Sequence, residues 1–314
     1  MTKKLLRIGT RESQLAVWQA NRVKDLLAEH GFESELVFIK SDGDIDLQTP
    51  LYEIGVQGIF THTLDIALLN KRIDIAVHSL KDVPTQLAKG IVQCAVLKRA
   101  SYKDLLVLNV TSDLAVESNF STTTHRSPRT IATSSIRRKA QWLNKYPNDV
   151  LENLRGNVNT RLKKVKNSNW HGAIFAAAGL ERIGLRPAHS IELNWMLPAP
   201  AQGAIGVVCL DDDKESFEAC QHFNDAETEL CTSIEKSFLR TLLGGCSTPI
   251  SALAEIRDGI VFFKGNIFSV DGTQRVDIEK NLPVSESESL GILSAKELLG
   301  NGGKAIADTI QNAR

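Results

Sequence analysis

Two stretches of the chain each alternate short apolar runs with amphipathic segments, and this repeated alternation limits the fold to a few classes. The first stretch contains predicted strands at residues 5–8, 35–39, 73–77 and 91–97. Between these strands, apolar residues at helical spacing predict a helix from Ser13 to about His30 and a second helix over residues 60–70. Strands that alternate with helices favour a sheet of βαβ units with a largely parallel core.

The same pattern restarts near Thr130. Strands are predicted at residues 131–133, 150–154, 173–177 and 204–210, and helices at residues 135–145 and 160–166. A turn is predicted around Gly179, and the polar residues 111–127 predict a surface excursion or linker. A long helix over residues 226–243 follows. A strand at 261–270 and a helix near 294–299 then predict a smaller α+β unit.

The composition argues against several classes of protein. The length of 314 residues, at about 150 residues per domain, predicts two domains, with three possible. A hydrophobic share of 42% and a charged share of 24% are typical of globular proteins and argue against a disordered or fibrous chain. The 37 basic residues balance 37 acidic ones, which argues against a uniformly basic protein that coats nucleic acid.

Targeting and cysteine patterns predict a cytoplasmic protein. Arg7 interrupts the apolar run near the N-terminus too early for a signal-peptide core. No apolar stretch approaches the ~20 residues that a membrane helix needs. The five cysteines are widely spaced and form no Cys-x-x-Cys pair. We therefore expect reduced thiols, with neither a zinc site nor a disulfide framework.

Positive charge is concentrated in residues 126–166. This segment has eleven basic and two acidic residues, a net charge of +9 on a chain whose formal total is zero. The ordinary interpretation of such a charge run is a solvated basic face. The alternative is a binding site for an anion. A nucleic-acid surface is disfavoured because the segment lacks interleaved aromatic residues for stacking.

The placement of the arginines favours the anion site. Ser135 lies at a predicted helix start with Arg137 and Arg138 in the first turn, where their charges oppose the helix dipole. Arg155 and Arg161 surround the next predicted helix start. Helix N-termini bind anions, and arginine pairs with a carboxylate through two parallel hydrogen bonds. We predict a pocket for a ligand with several carboxylates or phosphates.

The first block offers a matching half of this site. Arg11 and Ser13 lie where the first predicted strand meets the first helix, at the end of the sheet where ligands bind in doubly wound folds. His78, Lys81 and Asp82 follow another predicted strand. Asp82 is either a turn former or a group that stabilises a cation or moves a proton, with Lys81 beside it to bind an anion. For His78, a hydrogen-bonded structural role is favoured over a role as a base.

Cys246 follows two glycines just after the long predicted helix. A buried cysteine is the ordinary interpretation. The surrounding glycines and hydroxyl residues, however, predict an accessible loop. The C-terminus of a helix disfavours a thiolate, so a permanently attached thiol fits this position better than a recycled nucleophile.

Six motifs resemble those of the porphobilinogen deaminase (hydroxymethylbilane synthase) family. They occur in the family's order, cover the chain from residue 5 to about 250, and are together highly specific. They lie at residues 7–16, 78–84, 133–138, 155–161, 200–204 and 244–246. The last sixty residues match only in general character.

This resemblance implies an α/β fold with three domains and a covalent cofactor. Two doubly wound domains would resemble periplasmic binding proteins, one formed by residues 1–99 and 199–217 and the other by residues 104–194. A small α+β C-terminal domain would span residues 222–314. The family's dipyrromethane cofactor is joined by a thioether to the cysteine that matches Cys246.

The resemblance also implies a reaction and a set of site residues. The family joins four porphobilinogen molecules head to tail with release of ammonia, and hydrolysis frees hydroxymethylbilane for tetrapyrrole (haem) biosynthesis. Asp82 matches the catalytic aspartate. The implied cofactor-binding residues are Cys246, Lys81, Ser135, Arg137, Arg138 and Arg155. The implied substrate-binding residues are Arg11, Ser13, Arg161, Arg182 and Gln202. A cytoplasmic monomer without metal, nucleic acid or membrane is expected.

One segment departs from the family's pattern. Residues 56–63 replace two lysines and a glutamate of that pattern but keep Phe60, and Asp42 stands where a small residue or arginine is common. The resemblance implies that these positions border a loop that covers the family's active site. The departure leaves open a rival hypothesis, a non-catalytic two-lobed protein that binds a polycarboxylate ligand.

Overall fold

The computed structural model describes residues 4–40, 61–109, 127–242 and 248–312. Up to residue 109 its elements are β1 (Leu6–Thr10), α1 (Gln14–Glu29), β2 (Ser34–Phe38), α2 (His62–Leu69), β3 (Ile75–Ser79), β4 (Ile91–Leu97) and β5 (Asp104–Leu108). Residues 127–210 contain β6 (Thr130–Ala132), α3 (Ile136–Lys145), β7 (Val150–Glu152), α4 (Val158–Lys166), β8 (Gly172–Ala176), α5 (Ala177–Glu181), β9 (Ser190–Glu192) and β10 (Ile205–Leu210). The remainder contains α6 (Lys214–Gln221), α7 (Ala226–Leu242), β11 (Ile250–Arg257), β12 (Ile260–Phe268), β13 (Arg275–Pro283), α8 (Leu290–Leu298) and α9 (Lys304–Asn312).

Two sheets of the described chain share one topology. Their strand orders are β2-β1-β3-β10-β4 and β7-β6-β8-β5-β9. In each sheet the first three strands are parallel, and the fourth runs antiparallel to them. The fourth strand of each sheet is distant in sequence from the strands beside it. In the first sheet, β10 follows all strands of the second sheet, and in the second sheet, β5 precedes all the other strands. The predicted α/β class is confirmed.

The chain crosses between the two sheets twice, through residues 98–103 and 193–204. The crossing segments contact each other, because the amide of Ala100 donates to the carbonyl of Gly203 at 3.1 Å. Gly203 has a φ of +89°, and a Cβ there would lie 2.8 Å from the carbonyl oxygens of Ala100 and Ser101. Only glycine fits this close approach.

The third unit is an antiparallel sheet, β11-β12-β13, with helices packed against it. Phe238 of α7 and Phe263 of β12 meet edge to face in its core, with ring centroids 5.1 Å apart. This unit confirms the predicted smaller α+β region.

One local prediction was wrong, and several others concern residues that lie outside the described ranges. Gly179 lies within α5 rather than in a turn, because the residues around it bury apolar side chains in the second unit's core. Most of the predicted linker at 111–127 and most of the altered segment at 56–63 lie outside the described residues, as do Asp42 and Cys246.

Candidate active site

The predicted site residues lie at corresponding edges of the two five-stranded sheets. Arg11 follows β1, and Lys81 and Asp82 lie in a short helical turn directly after β3. Because β5 and β10 are antiparallel to their neighbours, they begin at the edges where the parallel strands end. Asp104, which opens β5, lies opposite Ala176, which ends β8.

Lys81 lies in a chain of polar contacts next to the exposed Asp82. Its Nζ donates to Oε1 of Gln202 at 3.4 Å. The Nε2 of Gln202 donates to Oδ1 of Asp104 at 2.9 Å and to the carbonyl of Tyr102 at 2.8 Å. Gln202 is fully buried, so its amide links Lys81 to the interior.

Arg137 and Arg138 share the buried carboxylate of Asp104. Arg138 donates to Oδ1 through Nε at 3.1 Å and Nη2 at 2.7 Å, and Arg137 donates to Oδ2 through Nη2 at 2.8 Å. Burial disfavours the charged carboxylate, but the two guanidinium groups hold the pKa of Asp104 well below its usual range. Asp104 therefore supplies part of the negative charge that the sequence predicts beside the start of α3.

Several cations around Asp82 are stabilised poorly by their surroundings. Burial, with the positive charge of Arg138, lowers the pKa of Lys81 to about 8, although Asp82 opposes the shift. Burial, together with the charges of Arg138 and Arg155, lowers the pKa of Arg161 to about 10, and Asp82 again opposes it. Mutual repulsion among these side chains would be relieved by an added anion.

The described residues around Asp82 carry more positive than negative charge. Five cations and two carboxylates act on one another electrostatically here: Lys81, Arg137, Arg138, Arg155 and Arg161 with Asp82 and Asp104. Three positive charges are in excess. Such an excess would attract a ligand with several carboxylates, and binding of that ligand stays a prediction.

The predicted hydroxyl ligands are helix caps. Ser13 accepts from the amide of Ala16 at the start of α1, and Ser135 accepts from the amide of Arg138 at the start of α3, both at 3.4 Å. Each serine therefore fixes the start of a helix at the cleft. The predicted role of the two serines in binding an anion stays a prediction.

Arg182 lies at the C-terminal end of α5. Its Nη2 donates to the carbonyl of Gly203 at 2.6 Å. Burial lowers the pKa of Arg182 to about 10, with Glu181 opposing the shift. The guanidinium is thus held against a segment that joins the two sheets.

His78 is buried at the end of β3, near Arg11. Burial, followed by the charges of Arg11 and Lys236, lowers the pKa of His78 to about 4. Its Nε2 has no hydrogen-bond partner in the described structure. The expected hydrogen-bonded structural role therefore does not account for this ring nitrogen.

Sequence reasoning missed two buried carboxylates, Asp104 and Glu235. Glu235 lies on the inner face of α7 and binds Arg99, which belongs to the first crossing segment. A signal was present, since Glu235 interrupts the apolar stripe that includes Ile234 and Phe238. An acidic residue within such a stripe indicates a buried partner.

Three other features of the described residues bear on the site. They contain no group of three or more His, Cys, Asp or Glu side chains placed to hold a metal ion. None of the described helices has the length and apolar character required to cross a membrane. The four cysteines within these ranges are buried and unbridged.

Three solved structures are similar to this chain at low sequence identity. The VFT2 domain of Bordetella pertussis BvgS, in a double-mutant form, has a TM-score of 0.40 and 12% identity over 69% of this chain and 85% of that one. The amino acid substrate-binding protein AbpA of Streptococcus pneumoniae, bound to L-arginine, has a TM-score of 0.37 and 14% identity over 69% and 85%. The periplasmic domain of B. pertussis BvgS has a TM-score of 0.37 and 12% identity over 69% of this chain, which spans 39% of that domain's length. Similarity at these identities and TM-scores carries no argument about superfamily, ligand or function.

Two family models cover most of the chain. Residues 6–218 match "porphobilinogen deaminase, dipyromethane cofactor binding domain", and residues 229–300 match "porphobilinogen deaminase, C-terminal domain". The first match alone covers more than half of the chain and includes Asp82 and the arginines around it. The chain therefore belongs to the porphobilinogen deaminase family, whose members are transferases with a dipyrromethane cofactor.

Proposed function

We propose that the cleft around Asp82 joins four porphobilinogen molecules head to tail, releases ammonia at each condensation and yields hydroxymethylbilane. The observation that carries this proposal is the exposed carboxylate of Asp82 within electrostatic reach of Lys81 and Arg161, in a region with an excess of positive charge. Each pyrrole of the substrate carries an acetate and a propionate. Its negative charges complement those of the cleft.

The residues present fit a dipyrromethane cofactor, which also carries carboxylates. The Nε of Arg137 is buried and has no hydrogen-bond partner in the described structure. Arg161 is destabilised by burial and by neighbouring cations. Both groups would gain from an added carboxylate. When bound through Cys246, the cofactor supplies the free pyrrole position to which the first substrate unit is joined.

We assign binding of the carboxylates to two sets of side chains. The proposed cofactor ligands, besides the anchor Cys246, are Lys81, Ser135, Arg137, Arg138 and Arg155. The proposed ligands of the substrate and the growing chain are Arg11, Ser13, Arg161, Arg182 and Gln202. Gln202 would act indirectly, because its buried amide contacts Lys81 rather than the open cleft.

The proposed role of Asp82 is electrostatic and acid–base. When the carbon–nitrogen bond of the substrate's aminomethyl group breaks, the electron pair leaves with ammonia and positive charge develops on the pyrrole-methylene unit. The carboxylate of Asp82 would stabilise that charge. It would also hold or move a proton at a pyrrole nitrogen. The surrounding cations would keep the two reacting units in a fixed orientation.

We further propose three domains, residues 1–99 with 199–217, residues 104–194 and residues 222–314. The support is the sheet membership of β10, which joins the first sheet although it follows the second in sequence. We also propose that the protein works as a cytoplasmic monomer. The unbridged cysteines among the described residues are compatible with a reducing compartment.

Intact-protein mass spectrometry tests the proposed reaction and its anchor. Protein from cells supplied with porphobilinogen should carry a covalent two-pyrrole adduct, and Cys246→Ser should lack it. An unmodified mass for the wild-type protein would instead support the non-catalytic binding protein.

Turnover measurements test the role of Asp82. Asp82→Asn should keep the adduct but lose at least about 100-fold in turnover, the contribution typical of a positioned acid–base group. Asp25→Asn, an exposed carboxylate on α1, is the matched control and should behave as wild type. Normal turnover of Asp82→Asn would remove Asp82 from its assigned role.

A further inference from the structure

Trp18 is a large apolar side chain that α1 leaves 37% exposed. It lies one turn after Gln14 on the same face of the helix, because residues four apart are neighbours on a helical surface. The buried face of α1 instead carries Ala20 and Val23. The indole ring therefore lies outside the core of the first unit.

This face of α1 contacts the second unit at two successive turns. Oε1 of Gln14 accepts from Nδ2 of Asn159 in α4 at 2.9 Å. One turn later, the Trp18 ring centroid lies 5.8 Å from Cζ of Arg182, at the end of α5. The exposed ring is thus placed opposite a cation of the other half of the cleft.

Three parts of the molecule meet at the guanidinium of Arg182. Its own backbone belongs to the second unit, the ring of Trp18 belongs to the first, and the carbonyl of Gly203 belongs to a crossing segment. Among the described residues, the hydrogen bond to Gly203 is made by Nη2 alone, at 2.6 Å. The Nε and Nη1 groups therefore remain as donors to a carboxylate oxygen.

We propose that Trp18 is a positioning residue that holds the guanidinium of Arg182 in the orientation that binds a carboxylate of incoming porphobilinogen. A guanidinium with one hydrogen bond can rotate about its side-chain torsions, and the attraction of a cation to an indole face within about 6 Å restricts that rotation. Ring and guanidinium belong to different units. Arg182 is therefore oriented only while the two halves of the cleft are at this separation.

The inference rests on the proposed function and extends it to a residue outside the predicted set. It separates substrate binding from chemistry, because Trp18 acts on a carboxylate ligand rather than on the reacting carbon. Loss of the ring should raise KM and leave kcat unchanged, the signature of lost binding that is equal in ground and transition states.

Steady-state kinetics of the holoenzyme test this role. Trp18→Ala and Trp18→Leu should each raise the KM for porphobilinogen about two- to tenfold at constant kcat, the range expected from losing a cation–π contact. Trp18→Phe keeps an aromatic face and should stay within about twofold of wild type. Phe217→Ala removes an aromatic ring of α6 that is also 37% exposed, and it should leave both constants unchanged.

A double-mutant cycle identifies Arg182 as the group through which Trp18 acts. In an Arg182→Gln background, Trp18→Ala should change KM by less than about 1.5-fold, since coupled residues are not additive. A full additional effect in that background would overturn the proposal. So would an unchanged KM in Trp18→Leu, or a fall in kcat alone. Failure of the proposed reaction is separate, because wild-type protein would then lack both the pyrrole adduct and turnover.

Discussion

Replacing Glu235 by glutamine removes a charge from the point where three segments of the chain meet. Glu235 is fully buried. Its Oε1 accepts from Nη1 of Arg99 at 2.6 Å and from the amide of Ala254 at 2.8 Å, and its Oε2 accepts from Nη2 of Arg99 at 3.0 Å and from the amide of Ala201 at 2.6 Å. Arg99 and Ala201 belong to the two crossing segments, and Ala254 belongs to β11. The carboxylate therefore ties the third unit to both crossings.

The geometry sets the size of the expected effect. A glutamine of the same shape presents its amide nitrogen to two of the four donors, so two hydrogen bonds are lost in either orientation. Arg99 also loses its buried counter-charge. Breaking a buried pair by removing one partner costs about 3–5 kcal/mol, and we expect the free energy of unfolding to fall by that amount. At a urea m-value of about 3 kcal/mol/M, the unfolding midpoint should fall by about 1–2 M.

Urea unfolding, followed by circular dichroism and by tryptophan fluorescence, measures this loss. The matched control is Glu279→Gln, which removes the same charge from an exposed pair with Lys264, 2.9 Å away. We expect the control to cost at most about 1 kcal/mol because solvent screens the pair. Equal losses in the two variants would refute the inference that Glu235 anchors the crossing segments.

Three other groups give predictions of pH dependence and stability. Lys81, with a pKa lowered to about 8 chiefly by burial, is cationic below that pH and neutral above it, so the rate at which cofactor-free protein acquires the two-pyrrole adduct should fall above pH 8; a pH profile of Lys81→Arg should lack this fall. Asp104→Asn leaves the guanidinium groups of Arg137 and Arg138 without their shared counter-charge and should cost about 3–5 kcal/mol in urea unfolding, whereas a loss below about 1 kcal/mol would contradict the pairing. Burial would raise the pKa of Asp74, but its ion pairs hold this pKa at about 2, below the ordinary 3.8. At pH values above 3.8 the pairs therefore stabilise the fold by about 2 kcal/mol, and this stabilisation is lost as the pH falls towards 2. Acid unfolding of Asp74→Asn should accordingly show a smaller loss between pH 4 and 2 than wild type, and an identical profile would contradict the assignment.

Periodicity in the sequence located the elements that line the cleft, because those elements bury one regular face. The strand predicted at residues 91–97 is β4, with the same bounds, and α1 begins after Ser13 as its cap predicts. The turn predicted at Gly179 was wrong. A glycine costs a helix about 1 kcal/mol, and burial of neighbours such as Leu180 outweighs that cost.

The positions of the site residues could be predicted, but their partners could not. Asp82 and Arg155 follow strand ends, which sequence patterns reveal. The counter-ions depend instead on which distant segments meet. Asp104 lies 33 residues from Arg137, and Glu235 lies 136 residues from Arg99. No local pattern encodes such contacts, so the net charge of residues 126–166 could not show that part of it is neutralised internally.

The incomplete neutralisation explains how this cleft can remain open to a polycarboxylate. Asp104 carries one negative charge and is shared by Arg137 and Arg138, so the pair retains a positive charge. A second internal carboxylate would stabilise the fold, but it would occupy N–H donors and cancel the charge that attracts the ligand. The excess charge around Asp82 therefore costs stability in the free protein, and a bound carboxylate ligand would offset that cost. The holoenzyme, in which the cofactor carboxylates are present, should therefore unfold at higher urea concentration than Cys246→Ser, and equal unfolding midpoints would contradict the offset.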